Sequence, residues 1–145
     1  MNRKIILTLS LALIAIVMTS AASADENVTI DGIDFNIPDG FTEDVDEAII
    51  NETNSEHKVS FVSNAKVYEN GDHIMTLMVC TYEGVNVTND YLKDMDGDDL
   101  TINGVDGKLT DTGFIKVFCY VKDGKLAELS TNYQEDIEKF VVDEI

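Results

Sequence analysis

Ile33, Phe35 and Ile37 alternate with polar residues. Successive side chains of an extended chain point to opposite sides, so this spacing predicts a strand with one apolar face. Val28-Thr29-Ile30 precedes it, and Asp31-Gly32 between them reads as a two-residue hairpin turn, because both residues reach φ > 0 cheaply. Pro38 closes the second strand, having no N–H to give to a ladder. From Thr42 to Asn51 the period changes. Val45, Ala48 and Ile49 stand at helical spacing, and Glu43 and Asp44 sit where a helix N-terminus favours negative charge, so a short helix is predicted. His57 to Ser63 and Lys66 to Glu69 read as strands, with Asn70-Gly71-Asp72 as a turn. His73 to Tyr82 is a long strand, apolar on both sides: Ile74, Met78 and Tyr82 on one, Met75, Leu77 and Val79 on the other. That pattern predicts a central strand covered on both faces.

Thr88 is placed to cap a helix over Asn89 to Met95 that carries Tyr91 and Leu92. Leu100 to Ile102 and Val105 to Thr110 flank the hairpin turn Asn103-Gly104. After a turn at Thr112-Gly113, Phe114 to Val121 forms a second long strand, and Asp123-Gly124 turns it back into Lys125 to Ser130. At the end, Asn132 with Glu135 resembles a capping box. Ile137, Phe140, Val141 and Ile145 then form an apolar stripe at helical spacing. Two-residue turns join antiparallel neighbours. The expected class is therefore α+β: an antiparallel meander sheet of about seven or eight strands, with a C-terminal helix and one or two short helices packed on it. Phe35, Leu77, Val79, Ile115, Val117, Phe118 and Phe140 are the expected core.

The first residues follow another logic. Met1-Asn2-Arg3-Lys4 is positive, Ile5 to Met18 is apolar, and Ala22-Ser23-Ala24 precedes the charged pair Asp25-Glu26. This is the three-part layout of a cleavable secretory signal. The expected organisation is a signal peptide over 1–24 and a single acidic α+β domain over 25–145, secreted or held at the cell surface. Without cleavage the same segment would be an anchor, and the domain a membrane-attached sensor. Cleavage would leave no stable insertion in the membrane.

Charge narrows the partners. The chain has 10 Lys+Arg against 28 Asp+Glu, a net charge of −18. Loss of Arg3 and Lys4 with the leader leaves eight lysines, no arginine and a net charge of −20. Such a field repels phosphate backbones and anionic membranes, so nucleic acid is not an expected partner. It attracts cations and basic proteins, and it keeps an exported protein soluble.

Ile37-Pro38-Asp39-Gly40-Phe41 resembles the IP-x-G-F/W opening of small Mog1/PsbP-like domains. Ile102-Asn103-Gly104-Val105-Asp106-Gly107 is similar to the I-x-G-x-x-G hairpin of that group. Phe118-Cys119-Tyr120, Gly124-Lys125 and a C-terminal helix follow in the same order. Related layouts occur in an exported regulatory domain attached to some anti-sigma factors and in small secreted proteins of methanogenic archaea. The resemblance implies a central antiparallel sheet with flanking helices and a non-enzymatic binding or assembly role. It carries over no functional residue, because the shared positions are turn glycines and core aromatics.

Candidate chemistry is sparse. Asp94, Asp96 and Asp98 alternate in an acidic loop of the kind that holds Ca²⁺. An EF-hand loop starting at Asp94 calls for glycine at Asp99 and glutamate at Val105, so at most weak Ca²⁺ binding is expected, and no other cofactor. His57 and His73 open predicted strands without a nucleophile elbow or metalloprotease motif. Paired carboxylates for glycoside cleavage lack the tryptophan that commonly stacks sugars. Asn27, Asn51 and Asn86 begin N-glycosylation sequons. Cys80 and Cys119 lie one in each long strand, and if those strands are neighbours a cross-strand disulfide is within reach. The favoured function is an exported, non-enzymatic binding or accessory module with a protein or cell-surface partner. A cell-envelope hydrolase using carboxylates or a bound cation is the alternative. Intact-mass measurement of the exported protein is expected to give a chain starting at Asp25. A membrane-bound form retaining Met1 to Ala24 would instead establish the anchor.

Overall fold

The computed structural model describes residues 26–56 and 58–144. Residues 1–25, which include the expected signal peptide, and His57 and Ile145 lie outside the described residues. Strands β1 (Glu26–Ile30) and β2 (Ile33–Ile37) form a hairpin. A separate sheet holds β3 (Thr42–Glu56), β4 (Val59–Asn70), β5 (His73–Tyr82), β6 (Asp98–Ile102), β7 (Val105–Asp111), β8 (Lys116–Lys122) and β9 (Lys125–Thr131). Its order is β3-β4-β5-β9-β8-β7-β6, antiparallel throughout. The turns obey local chemistry. Asp31-Gly32, Asn103-Gly104 and Asp123-Gly124 all take φ between 47° and 83°, the handedness that matches the twist of the strands they join.

The sheet is two meanders rather than one. β3-β4-β5 and β6-β7-β8-β9 are each built from hairpins, and the β5–β9 pairing joins them. The chain leaves β5 at Tyr82 and must reach the far edge to begin β6. It does so across one face of the sheet, through the short helix α1 (Asn89–Lys93). A backbone bond from Val87 N–H to Gly124 C=O (2.8 Å) fastens this crossover to the β8–β9 turn.

The main core lies on the opposite face. Met75, Leu77, Val79, Phe118, Ala127 and Leu129 project from the central strands and are completely or almost completely buried. Ile30, Ile33, Phe35 and Ile37 of the hairpin cover them, with Ile137 and Phe140 of a terminal helical turn α2 (Ile137–Phe140) and with Val141 beyond it. Each such side chain contributes roughly 1.5–3 kcal/mol through burial. The terminal segment is held in place by Asn103, whose Nδ2 donates to Glu138 C=O (2.8 Å) and Val141 C=O (2.9 Å). Gly104 must be glycine here, since its φ is +80° and a Cβ would come within 2.8 Å of Glu144 O. Among the described residues no helix is long and apolar enough to cross a membrane.

Several expectations are corrected. Thr42 to Asn51 is not a helix but the first two-thirds of the edge strand β3. Its register shifts between Asp44 and Ile49 and again between Ile49 and Glu52. These bulges break the two-residue alternation and imitate a helical period. Asn51 takes φ of 48° there, and its N–H is held by Asn64 Oδ1 at 2.7 Å. Bulges of this kind also keep an edge from pairing with other chains. The two short strands expected over 57–63 and 66–69 are one strand, β4. Ile115 is 50% exposed and Phe114 89% exposed, because the turn extends to Ile115, where Thr112 exchanges backbone and hydroxyl bonds with it. Val117 is only partly buried, packed against the smaller second cluster. The terminal helix shrinks to a 3-10 turn over Gln134–Asp136 followed by α2. Asn132 makes no capping box. Its side chain accepts from Ile74 N–H and donates to Asp72 C=O instead. The second face is covered at one end by α1 rather than along its length, so the central strands are not enclosed on both sides.

Phe140 is wholly buried, edge-on to Phe41 at 4.9 Å. Phe140→Ala is expected to cost ~3–5 kcal/mol in a denaturant melt through lost burial and the cavity left behind. A loss under about 1 kcal/mol would show that the terminal turn is not part of the cooperative core.

Candidate functional site

The crossover brings three residues from distant parts of the chain together. Tyr82 ends β5, Tyr91 stands on α1, and Glu56 ends β3. The two phenol oxygens lie 3.3 Å apart. Glu56 Oε2 accepts from both, at 3.3 Å from Tyr82 Oη and 3.2 Å from Tyr91 Oη. Behind them the rings continue inward: Tyr91 to Tyr82 at 5.9 Å, and Tyr82 to Phe61 at 5.0 Å. This ladder rests on the second core cluster of Cys80, Leu92, Cys119 and Leu126. In front of the phenols is an open recess of about 370 Å³. Val59, Val85 and Val87 supply its apolar lining, and Glu56, Asp90 and Asp94 its carboxylates.

Burial, then the bond from Tyr91 and the nearby Glu56 charge, holds the Tyr82 phenol far above its ordinary ionisation range. Burial raises Tyr91 as well. Both rings are thus neutral hydroxyls at neutral pH: donors to the carboxylate, not bases. Asp90 is held below the usual carboxylate range by its bond from Lys93 Nζ, 2.7 Å away. The arrangement can hold an apolar group against aromatic walls and place negative charge at its end.

The residues singled out by sequence fall elsewhere, apart from Asp94. Asp94 caps α1 and lines the recess, Asp96 accepts from Thr110 Oγ1 through its backbone carbonyl (3.0 Å), and Asp98 begins β6. Among the described residues no three His, Cys, Asp or Glu side chains are grouped to hold a metal ion. Asn27 and Asn51 are exposed on β1 and β3, and Asn86 is exposed on the crossover. His57 lies outside the described residues.

His73 belongs to a polar cluster that the sequence reading missed. Asp136 is 1% exposed, and its two oxygens are taken by His73 Nδ1 (2.6 Å) and Lys139 Nζ (3.0 Å). Tyr133 stacks on the imidazole at 3.9 Å and donates to Asp72 Oδ2 at 2.6 Å. A carboxylate buried this deeply needs such partners. The cluster ties the start of β5 to the terminal turn. The i,i+3 spacing of Asp136 and Lys139 was the available signal.

The expected disulfide meets a topological obstacle. Cys80 pairs with Leu126 and Cys119 with Glu128, both on β9, so β9 separates the two cysteines. Two strand spacings amount to roughly 9–10 Å, beyond the ~6.8 Å that a disulfide spans between Cα atoms. Both thiols are free and buried. They do share one face, which sequence could not decide. Burial first, and then the charge of Glu128, pushes Cys119 up to about 12 and Cys80 to about 11. Glu128 is itself raised by burial, opposed by Ser130.

Comparison with family models, with curated proteins and with solved structures finds no match to the chain.

The thiols give a pH prediction. At pH 8 both should resist a thiol reagent in the folded protein and react fully in denaturant, since the thiolate is the reactive form. The unfolded chain ionises near the ordinary 9.0, before the folded one does. The contribution of these thiols to stability is therefore complete below pH 9 and lost as pH rises towards 11–12. Denaturant midpoints should fall over that window, and less steeply in the Cys80→Ala, Cys119→Ala double variant. Rapid labelling of the native protein at pH 8 would contradict the burial described.

Proposed function

We propose that this chain is an exported, non-enzymatic binding or accessory module acting at or outside the cell surface, and that the Tyr82–Tyr91 recess is the centre of its contact surface. The carrying observation is the recess itself: an aromatic and aliphatic pocket, walled by phenols that stay protonated and rimmed by carboxylates. Aromatic residues set in a concave surface are the usual anchors of recognition. Val85 stands at the mouth with 47% of its surface exposed, an aliphatic side chain available to a partner. The overall charge supports a partner of opposite sign and disfavours nucleic acid. The likeness of the turn motifs to Mog1/PsbP-like domains supports an assembly or binding role.

Site-specific photo-crosslinking tests this. A benzophenone amino acid at Val85 is compared with one at Phe114, which is more exposed but lies at the opposite end of the sheet. In cells producing the full chain, position 85 is expected to give a discrete adduct and position 114 none. Val85→Asp, introduced beside a crosslinker at Asn86, should reduce that adduct about tenfold, the effect of losing ~1.4 kcal/mol of contact. Adducts from position 114 alone would move the contact surface away from the recess.

A further inference from the structure

We infer that β6 is a docking edge for an extended segment of a partner polypeptide that carries lysine or arginine at alternate positions. The inference goes beyond the recess and does not depend on it.

The large sheet has two open edges, β3 and β6. They differ in what they offer. β3 changes register twice against β4, and an edge broken in this way does not line up with a straight strand. β6 keeps one register with β7 over all five of its residues, from Asp98↔Leu109 to Ile102↔Val105. Ile102 and Val105 close the two-residue turn Asn103-Gly104, so they form a hydrogen-bonded pair. By alternation Asp98 and Leu100 also point their backbone groups at β7, while Asp99 and Thr101 point theirs outward. Thr101 and Asp106 fit the other kind of pair, whose side chains approach closely: Thr101 Oγ1 donates to Asp106 Oδ1 at 2.6 Å. Among the described residues nothing takes the N–H and C=O of Asp99 or Thr101. Two donors and two acceptors thus stand along the edge at a spacing of about 7 Å, which an added strand satisfies.

The two flanks of this edge decide the sequence of that strand. Leu100 and Ile102 face the main core. Beside them a groove of about 550 Å³ runs to the terminal turn, where Glu135 and Glu138 are exposed. Neither carboxylate has an ion pair among the described residues. Lys139 and Lys122 are bonded to Asp136 and Glu144, Lys93 and Lys108 to Asp90 and Asp99, and Lys66 and Lys116 to Glu43 and Asp111. Lys125 Nζ donates to the Asp31 carbonyl. Lys58 stands in the β3–β4 turn, at the other edge of the sheet. Arg3 and Lys4 lie outside the described residues.

On the opposite flank the neighbours of Asp99 and Thr101 are Lys93 and Lys108. An added strand alternates as β6 does. Its residues opposite Asp99 and Thr101 give their backbone groups to β6 and turn their side chains towards these lysines, so small neutral residues suit them. Its residues opposite Asp98, Leu100 and Ile102 turn into the groove. Lysine or arginine there lays its methylenes on Leu100 and Ile102 and brings its charge to Glu135 and Glu138. A second copy of this chain is a poor occupant. Pairing β6 with β6 of another copy would bring two acidic grooves together, on chains of net charge −18.

The test uses the exported protein, labelled for amide NMR, and three end-blocked seven-residue peptides. One alternates valine and lysine, one alternates valine and glutamate, and the third is the lysine peptide methylated on its valine nitrogens. The lysine peptide is expected to bind in the sub-millimolar range, at least ~10-fold tighter than either of the others. Its shifts should centre on Asp99, Thr101 and Glu135, with slowed exchange of the Thr101 N–H. Glu135→Gln combined with Glu138→Gln, both exposed, should weaken it about 5-fold and leave the free spectrum otherwise intact. Equal binding of the glutamate peptide overturns the basic sequence. Equal binding of the methylated peptide overturns strand pairing. Shifts centred on β3 overturn the choice of edge. Concentration-dependent dimerisation with shifts at β6, and no peptide present, overturns the partner in favour of a second copy. The Val85 crosslink reports on the recess alone, so either result can fail while the other stands.

Discussion

The pairing of β5 with β9 is the contact on which the rest of the molecule depends. Every other neighbour in the large sheet is also a neighbour in sequence, joined by a short turn. Such hairpins form locally, and none of them buries much alone. Register from Met75↔Thr131 to Cys80↔Leu126 fuses the two halves. It sets Leu77 against Leu129, which in turn pairs with Phe118. That row is the floor on which the β1–β2 hairpin and the terminal turn close. Because about fifty residues intervene between the partners, this pairing carries most of the loop-closure cost of the fold.

The same pairing creates the candidate site. Once β9 occupies the position beside β5, the chain leaving Tyr82 cannot place its next strand there. It must travel over the sheet to the far edge. The crossover lays Leu92 onto Cys80, Cys119 and Leu126, and sets Tyr91 against Tyr82. The recess is thus a by-product of strand order. A simple meander with the same strands in sequence order would have no reason to contain it.

Legibility in the sequence follows from how local each feature is. The three hairpin turns were readable because Asp-Gly and Asn-Gly carry their conformation with them. The bounds of β5 were readable because a buried strand is an unbroken apolar run between turn residues. Leu77, Val79 and Phe118 were readable as core from such runs, Phe35 from strict alternation and Phe140 from helical spacing, and all five are fully buried. β3 was not, since its two bulges shift the face that each apolar residue presents. Ile115 was misplaced by two residues of turn that no pattern marks. The relation of Cys80 to Cys119 depends on which strand lies between them, and strand order is not written in periodicity. Residues 56, 82 and 91 share no motif; only the crossover makes them a group.

Charge and core play different parts in this protein. The buried carboxylate of Asp136 is compensated by His73 and Lys139 and so disturbs packing little. The surface charge is left largely uncompensated, since 10 Lys+Arg cannot neutralise 28 Asp+Glu. Self-repulsion of that size favours expanded states and is offset by the burial around Leu77, Phe118 and Phe35. Within this arrangement the recess joins the two regimes. Its floor, Tyr82 backed by Phe61, belongs to the paired strands β4 and β5. Its rim, Glu56 and the single-turn helix bearing Tyr91, belongs to an exposed strand end and a crossover. A fixed aromatic floor gives an incoming group a defined position, while a rim on less constrained chain can adjust its carboxylates to the charge that arrives.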